Sequence, residues 1–225
     1  MFCGTASPVT QSFGLGVFDP VGPAEFDRIE GFFRDRGAHV HLEISPLADK
    51  SIWPQIADRG YVPLEFTSVM FQELNTVEVP QPPETISVRV ALADDREAYI
   101  RTAIAGWSHL EGMGDFFTDM MGTAFESRTV VPFVAEQEGQ LVATGALNIH
   151  GGVAVLAGAS TIPEARRQGA QRALLAARLR YAREAGCDIA VIGAEPGSGS
   201  QRNAERQGFR IAYTRTKWEL RKTPV

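Results

Sequence analysis

One pattern of helices, strands and glycines occurs twice in this chain, and it narrows the choice of fold more than any other part of the sequence. In each copy an amphipathic helix ends at a glycine, a short strand follows, a second helix ends at a glycine, and a long strand closes the copy. These glycines are Gly37 and Gly60, then Gly186 and Gly208, at separations of 23 and 22 positions. Glycine ends helices because it adopts the left-handed conformation without steric cost. The pattern predicts an α/β protein with an internal repeat; chance similarity of two such copies is the alternative.

Hydrophobic periodicity predicts the individual elements. The first copy is predicted to hold helices over 24–35 and 51–59 and strands over 40–44 and 61–74. The second is predicted to hold helices over 168–185 and 200–207 and strands over 189–194 and 209–220. Between them lie predicted strands over 86–92, 129–136, 141–149 and 153–161, a helix over about 94–107, and a weakly helical stretch over 112–125.

A proline-rich segment divides the chain. Three prolines lie between positions 80 and 83, and proline removes backbone donors and favours extended chain, as in linkers. We therefore predict a boundary near Gln81, with domains over residues 1–80 and 81–225.

The first domain is expected to be incomplete. The repeat aligns residues 2–8 with the strand around 156–163, and nothing in the first copy corresponds to residues 86–152. The first copy is thus interpreted as a degenerate half-domain. This gives the hypothesis that the chain starts at an internal methionine of a longer ancestor.

Composition excludes several classes of protein. With 44% hydrophobic residues the 225-residue chain has enough apolar side chains for a real core, yet it has no apolar run of the roughly 20 residues that span a membrane. Only Cys3 and Cys187 are present, too few for a disulfide framework or a cysteine-rich zinc site. The net charge of −5 gives no general attraction to nucleic acid. The amino terminus has no signal-peptide pattern, so a cytoplasmic location is expected.

The segment over 159–175 carries the clearest chemical signal. A strand end is followed by a short loop with Arg166, Arg167 and Gly169, and then by the start of a long helix. Free amides at a helix start carry partial positive charge and suit a pyrophosphate, glycine permits close approach, and the guanidinium groups add charge. The segment lacks the Gly-Lys-Ser/Thr ending of a P-loop and the three spaced glycines of a dinucleotide fingerprint.

At these residues the sequence resembles the GNAT acetyltransferase superfamily. The run Arg-Arg-Gln-Gly-Ala-Gln over 166–171 matches the first four positions of the family pattern Gln/Arg-x-x-Gly-x-Gly/Ala, and Thr161-Ile-Pro matches its lead-in. Gln171 replaces the final Gly/Ala; its side chain either narrows the cradle or binds a phosphate itself. The resemblance covers about residues 86–221. It implies an α/β (α+β) fold with a mixed, mostly antiparallel sheet and flanking helices, here preceded by a partial repeat.

The resemblance also implies where acetyl-CoA binds as cosubstrate. The expected opening lies between the strand that ends near Thr161 and the strand over 189–194. Backbone groups that pair with pantetheine are expected at Ala159, Ser160 and Thr161. The pyrophosphate is expected at Arg166, Arg167, Gln168, Gly169, Ala170, Gln171 and Arg172. Ser200 and Asn203 are expected along the CoA tail. By contrast, Arg178, Arg180 and Arg183 are interpreted as a solvated helix face.

The sequence offers candidates for the catalytic acid and base. Family members often place a tyrosine acid five residues before the Phe209 position, where this chain has Ala204, so Tyr213 is a candidate substitute. His109 and Glu111 are candidate bases, although a lone histidine is often structural and Glu111 is equally suited to attracting a cationic amine. Apolar residues nearby line either a substrate pocket or the ordinary core: Trp107, Met113, Phe116, Phe117, Met120 and Met121.

The first copy is not expected to bind CoA or a metal. It has no Arg-x-x-Gly where the loop would fall, and no arginine before Arg28. His39 and His41 alternate around Val40 without a cysteine or further histidine nearby, so no metal site is predicted.

These observations predict an N-acetyltransferase that transfers an acetyl group from acetyl-CoA to an amine of a small molecule or peptide by direct attack. The expected partners are acetyl-CoA and the amine, with no nucleic acid and no membrane, and a homodimer is left open. A non-catalytic acyl-CoA-binding sensor or interaction module is the alternative, because the usual acid is missing at Ala204.

Overall fold

The computed structural model of the protein describes residues 1–5, 7–75, 85–107 and 114–221. The first part of the chain forms α1 (Pro23–Arg34), β1 (His41–Ile44), α2 (Ile52–Asp58) and β2 (Tyr61–Glu73). The middle forms β3 (Ser87–Val90), α3 (Arg96–Gly106), α4 (Gly114–Glu126), β4 (Val130–Gln137), β5 (Gln140–His150) and β6 (Val153–Thr161). The last part forms α5 (Ala170–Glu184), β7 (Ile189–Ala194), α6 (Gly199–Arg206) and β8 (Arg210–Leu220).

The helices and strands predicted from periodicity are confirmed, with small shifts at their ends. The weakly helical stretch over 112–125 forms α4. Helix α5 begins at Ala170 rather than at residue 168, because Gly169 has a φ of +96° and interrupts the helical conformation there. Every helix in the described part of the chain is too short or too polar to cross a membrane.

Residues 2–8, which the repeat aligns with the strand around 156–163, form no strand in their described part. They form turns, in which the Thr10 hydroxyl donates to the Gly4 carbonyl at 2.7 Å and accepts from the Cys3 amide at 2.9 Å. Such local side-chain bonds compete with a strand ladder. A single parallel bridge forms farther along, between Ser12 and Leu42 of β1.

The described chain divides into two compact units. The first unit contains Met1–Val69, Ala194–Ser198 and Ile211–Val225, and the second contains Met70–Gly193 and Gly199–Arg210. The predicted boundary near Gln81 lies outside the described residues and stays a prediction.

In the first unit the strand order is β1-β8-β2. β1 and β8 run antiparallel, with His41 opposite Glu219 and Ile44 opposite Thr216. Helix α1 turns Phe26, Glu30 and Phe33 inward, at the i, i+4 and i+7 spacing of one helix face. The apolar members of this face join a core that includes Leu42.

The second unit contains the order β7-β6-β5-β4-β3. Pairing is antiparallel from β3 through β6 and parallel between β6 and β7. The fold is therefore mixed α/β with mostly antiparallel pairing, as expected. Helices α3 and α4 pack through a core cluster: Ala91, Tyr99, Ile100, Ala103, Met121 and Val134.

The closing strands of the two sequence patterns have exchanged neighbours. β8, which closes the second pattern, pairs with β1 of the first. The end of β2, which closes the first pattern, lies beside β7, and the following Leu74 amide donates to the Asp188 carbonyl at 2.8 Å. This exchange explains why neither compact unit is a single continuous stretch of chain.

An ion-pair network fixes the start of α3 in the second unit. Arg89 bonds Asp95 at 2.5 Å and Glu136 at 2.6 Å. The Asp95 carboxylate also accepts the Leu92 amide at 2.6 Å. The Arg89 guanidinium, and after it the Leu92 amide, lowers the pKa of Asp95 from its ordinary 3.8 to about 2. The ionised carboxylate therefore stabilises the folded protein above pH 3.8, and this contribution is lost as the pH falls toward 2.

We predict that Asp95→Asn lowers the free energy of unfolding by roughly 1–2 kcal/mol at pH 7, a value discounted for solvent screening of this partly exposed pair. The deficit should shrink between pH 3.8 and about 2, where the native carboxyl becomes protonated. Urea unfolding at several pH values measures it. Asp94→Asn, at the exposed neighbouring position, is the control; equal deficits for both variants at pH 7 would contradict the network's role.

Candidate functional site

Two parallel strands of the second unit part at one end, as the resemblance implied. The registered pairs of β6 and β7 run from Val153–Ile189 to Leu156–Ile192. β6 then continues to Thr161 and β7 to Ala194 without a further registered pair. The backbone of β6 beyond Leu156 therefore has an edge that β7 does not use. Such an edge accepts an extended ligand as an added strand.

A bulge in the β5–β6 ladder lies at the same point. Thr144 pairs with Ser160 and Ala146 pairs with Ala157, so Gly145 faces two residues of β6. One of these two, Gly158, has a φ of +60°, which glycine adopts without strain. A bulge bends its strand and increases the local twist. This bend accounts for the separation of β6 from β7.

The guanidinium group of Arg178 lies beneath this bulge. Its Nη1 donates to the carbonyls of Ala146 and Ala157 at 3.1 and 3.3 Å, and its Nε donates to the Leu174 carbonyl at 3.2 Å. A Cβ atom on Gly145 would lie only 3.1 Å from the guanidinium carbon of Arg178. The absence of a side chain at Gly145 thus allows the guanidinium to reach the bulge.

The interpretation of Arg178 as part of a solvated face is wrong, since the residue is 1% exposed. Burial lowers the pKa of Arg178 to about 10, so the group is still charged at neutral pH. Backbone carbonyl dipoles, rather than a carboxylate, are its hydrogen-bond acceptors. A signal for this burial exists in the sequence: Arg178 follows Leu174 by four positions and precedes Ala182 by four, on one apolar helix face.

The start of α5 offers free amides next to this opening. The first helical bond runs from the Ala173 amide to the Gly169 carbonyl at 3.0 Å, so the amides of residues 170–172 precede it. Gly169 has no side chain that could cap them. Arg167 and Arg172 are exposed on either side of this turn. Amides, helix dipole and two cations suit a diphosphate, so the residues present fit the acyl carrier that the sequence implied.

Two other residues of the loop have structural contacts. Arg166 donates to the carbonyls of Thr161 at 3.3 Å and Gly106 at 2.9 Å, and so links the end of β6 to the end of α3. The side-chain amide of Gln171, in the first turn of α5, donates to the Thr161 hydroxyl at 2.7 Å. The side chain that replaces the family's Gly/Ala therefore ties the helix start to β6.

The predicted site residues at the end of β6 are buried or half-buried. Ser160 and Thr161 are buried, and the Ser160 and Thr144 hydroxyls lie 3.2 Å apart. Helix α3 packs so closely here that a Cβ atom on Gly106 would lie 2.6 Å from that of Ser160. Ala159 is half-buried. The side chains of Ser160 and Thr161 thus belong to the support, and only backbone groups remain for a ligand.

The remaining predicted loop and tail residues range from exposed to buried. Gln168 is exposed, donating to the Glu164 carbonyl and accepting from Gln137, each at 2.9 Å. Ala170 is buried at the helix start. On α6, Ser200 is exposed and Asn203 is half-buried.

Of the predicted catalytic residues, the structure describes Tyr213. His109 and Glu111 lie outside the described residues. Tyr213 lies half-buried on the part of β8 that belongs to the first unit. Ala204, where family members often have a tyrosine, is 1% exposed and packs in the interior.

The apolar residues after α3 divide between the described and undescribed parts of the chain. Phe117 and Met121 are buried, and Met120 packs against the core cluster, so these three fit the ordinary-core alternative. The Trp107 and Phe117 rings meet edge to face at 4.9 Å. Met113 and the Phe116 side chain lie outside the described part.

Comparison of the sequence with protein families identifies the chain. The profile described as "Acetyltransferase (GNAT) family" matches residues 96–209, slightly more than half of the sequence. The chain belongs to the GNAT acetyltransferase family. The match contains the parted strands, the bulge and the start of α5. No curated protein matches the chain by sequence.

Solved structures share the GNAT fold with this chain. A GCN5-related N-acetyltransferase from Kribbella flavida has a TM-score of 0.71 at 23% identity, covering 95% of this chain and 81% of that protein. One from Sphaerobacter thermophilus has a TM-score of 0.68 at 18% identity, covering 87% and 66%. A tandem GNAT protein from the clavulanic acid biosynthesis pathway has a TM-score of 0.64 at 13% identity, covering 89% and 70%. At these identities the likeness concerns the fold.

The buried guanidinium gives a test of how the GNAT site is held. Arg178→Met keeps most of the side-chain volume but leaves the carbonyls of Ala146 and Ala157 without this donor. We expect the free energy of unfolding to fall by roughly 2–4 kcal/mol. Chemical denaturation measures it, with Arg183→Met on the exposed side of α5 as the control, expected to cost about 0.5 kcal/mol. Unchanged or increased stability of Arg178→Met would show that desolvation of the charge outweighs its bonds.

Proposed function

We propose that this GNAT protein binds acetyl-CoA in its second unit and transfers the acetyl group to an amine of a small molecule or peptide by direct attack. One observation carries the proposal: the β6 edge left free beyond Leu156 is followed, after the loop over 162–169, by the uncapped start of α5. These two features match the two parts of the cosubstrate, an extended amide-bearing arm and a diphosphate. The acceptor amine stays unassigned.

Different residues of the chain bind different parts of acetyl-CoA in this proposal. The amides of residues 170–172 and the charges of Arg167 and Arg172 hold the diphosphate. Backbone groups of residues 159–161 pair with the arm, and Ser200 and Asn203 line its far end. When bound, acetyl-CoA supplies an acyl group activated as a thioester. Arg178 acts as a positioning residue, because it keeps the bulge and the free edge in place before any ligand arrives.

The segment over residues 1–80 is proposed to be a degenerate GNAT-like half-domain without a CoA site. Its parallel bridge between Ser12 and β1 is of the same kind as the parallel pairing of β6 with β7 in the second unit. The tandem GNAT protein from the clavulanic acid pathway aligns with 89% of this chain, which supports two related parts. No arginine precedes Arg28, so the phosphate loop has no counterpart here.

A non-catalytic acyl-CoA sensor is the second candidate. Ala204 is buried at the position of the frequent family acid, and residues 156–160 of β6 include no carboxylate. Acetyl-CoA titration combined with a thiol-release assay over a panel of amines separates the candidates. Release with any amine supports the enzyme, and tight binding without release supports the sensor. Absence of binding would contradict both.

We predict that Gly169→Asp weakens acetyl-CoA binding at least about tenfold more than Gly169→Asn. The two side chains have nearly the same shape and both residue types tolerate positive φ, so the pair isolates the effect of a negative charge beside the diphosphate. Calorimetric titration gives the two dissociation constants, and circular dichroism checks that both variants are folded. Equal constants would overturn the assignment of the α5 start.

A second prediction concerns the proposed catalytic groups. If His109 or Glu111 is the base, its Gln variant loses roughly 10²–10⁴ in kcat and the acidic limb of the kcat/KM profile, while acetyl-CoA affinity is kept. Tyr213→Phe should lower kcat in the same way if Tyr213 protonates the leaving thiolate. His150→Gln, at an exposed position, is the control. Full activity in all three variants would remove these residues from the mechanism.

A further inference from the structure

Three metal-binding side chains meet on the first unit, away from the phosphate loop in sequence. Nδ1 of His39 lies 3.1 Å from Oε1 of Glu219, and Nε2 of His41 lies 3.3 Å from the same oxygen. One ligand atom from each residue lies within 4.8 Å of the other two. This spacing is short enough for a single ion to contact all three.

The β1–β8 pairing builds this cluster. His39 and His41 lie two positions apart in extended chain, so their side chains share a face, and their rings stack at 5.9 Å with an angle of 11° between planes. Antiparallel pairing places Glu219 directly opposite His41. The exchange of closing strands therefore supplies the third ligand. In the sequence this residue is 178 positions from His41, which is why spacing alone predicted no metal site.

Two charged groups act on His41 in opposite directions, the Glu219 carboxylate and the Lys217 ammonium. The Glu219 carboxylate favours a bound cation. The Lys217 ammonium donates to the Pro8 carbonyl at 2.8 Å; its charge opposes a bound cation.

We propose that His39 Nδ1, His41 Nε2 and a carboxylate oxygen of Glu219 bind a divalent transition metal of the zinc type. Two imidazoles and one carboxylate suit Zn²⁺, Co²⁺, Ni²⁺ or Cu²⁺, whereas Mg²⁺ and Ca²⁺ prefer oxygen ligands throughout. Three protein ligands leave a fourth tetrahedral position for water or an external ligand. This site is independent of the proposed acetyl transfer.

A cavity borders the cluster at His39. This residue forms part of the wall of a cavity of about 440 Å³ in the first unit, which Glu30, Arg34 and Arg59 also line. Within it the Glu30 carboxylate is already paired with Arg34 and Arg59, at 2.9 and 3.0 Å. Because this carboxylate is already paired, we do not count Glu30 among the proposed ligands.

Cobalt titration of the full chain, stripped beforehand with a chelator, tests the site. We expect one Co²⁺ per chain with the visible absorption of a four-coordinate ion, and Zn²⁺ should displace it. His39→Gln and Glu219→Gln should each weaken binding at least about tenfold. The His39 side chain is 65% exposed, so its replacement leaves the fold intact. His150→Gln, an exposed histidine of the second unit, should bind as tightly as the unchanged protein.

A gain-of-affinity variant guards against effects of misfolding. Lys217→Met removes the opposing charge and should tighten Co²⁺ binding several-fold, which a damaged fold would not do. Thermal unfolding adds an independent readout: Zn²⁺ should raise the Tm of the unchanged protein and leave that of His39→Gln unmoved. The proposal is overturned if the unchanged protein binds no Co²⁺, or if His39→Gln and Glu219→Gln bind it as tightly as His150→Gln.

Discussion

The guanidinium of Arg178 is the interaction on which the second unit's site depends. A bulge leaves backbone carbonyls outside the regular ladder, and buried carbonyls need donors. Arg178 provides them at Ala146 and Ala157 from below. Removing a cation from water is costly and lowers the pKa of Arg178 to about 10, so the group is still charged at neutral pH. Its hydrogen bonds to the carbonyls offset part of that cost. With the bulge fixed, β6 bends and its pairing with β7 stops after Leu156.

Helix α5 contains both Arg178, which supports the bulge, and the first turn, which has the free backbone amides. Arg178 lies eight residues after Ala170, about two turns into α5. A helix of this length is rigid, so the position of its first amides is set by the side chain that is anchored under the bulge. Arg166 and Gln171 add ties to Thr161 from the loop and the first turn. The free strand edge and the free amides are thereby held relative to each other without a ligand.

Local sequence signals were sufficient for the elements but not for their partners. Glycine stops and hydrophobic periodicity predict the helices and strands, and the run ending at Gly169 predicts the helix start. The sequence places Arg178 in solvent because charged residues are seldom buried, and its partners belong to a bulge that leaves no clear periodic signal. The sequence around Gly106 likewise gives no sign of why a glycine is needed there. The structure shows the reason: Ser160 fills the space that a side chain on Gly106 would occupy.

Strand pairing is the part of the fold that periodicity leaves open. β2 and β8 each follow a helix that ends at a glycine, so the residues before the two strands give similar local signals. Local pattern alone therefore does not decide which neighbour each of these two strands pairs with. Here β8 lies between β1 and β2, and β1 gains Glu219 opposite His41. A chemically distinct cluster thus arises from the choice of neighbour, a choice that no single segment of the sequence encodes.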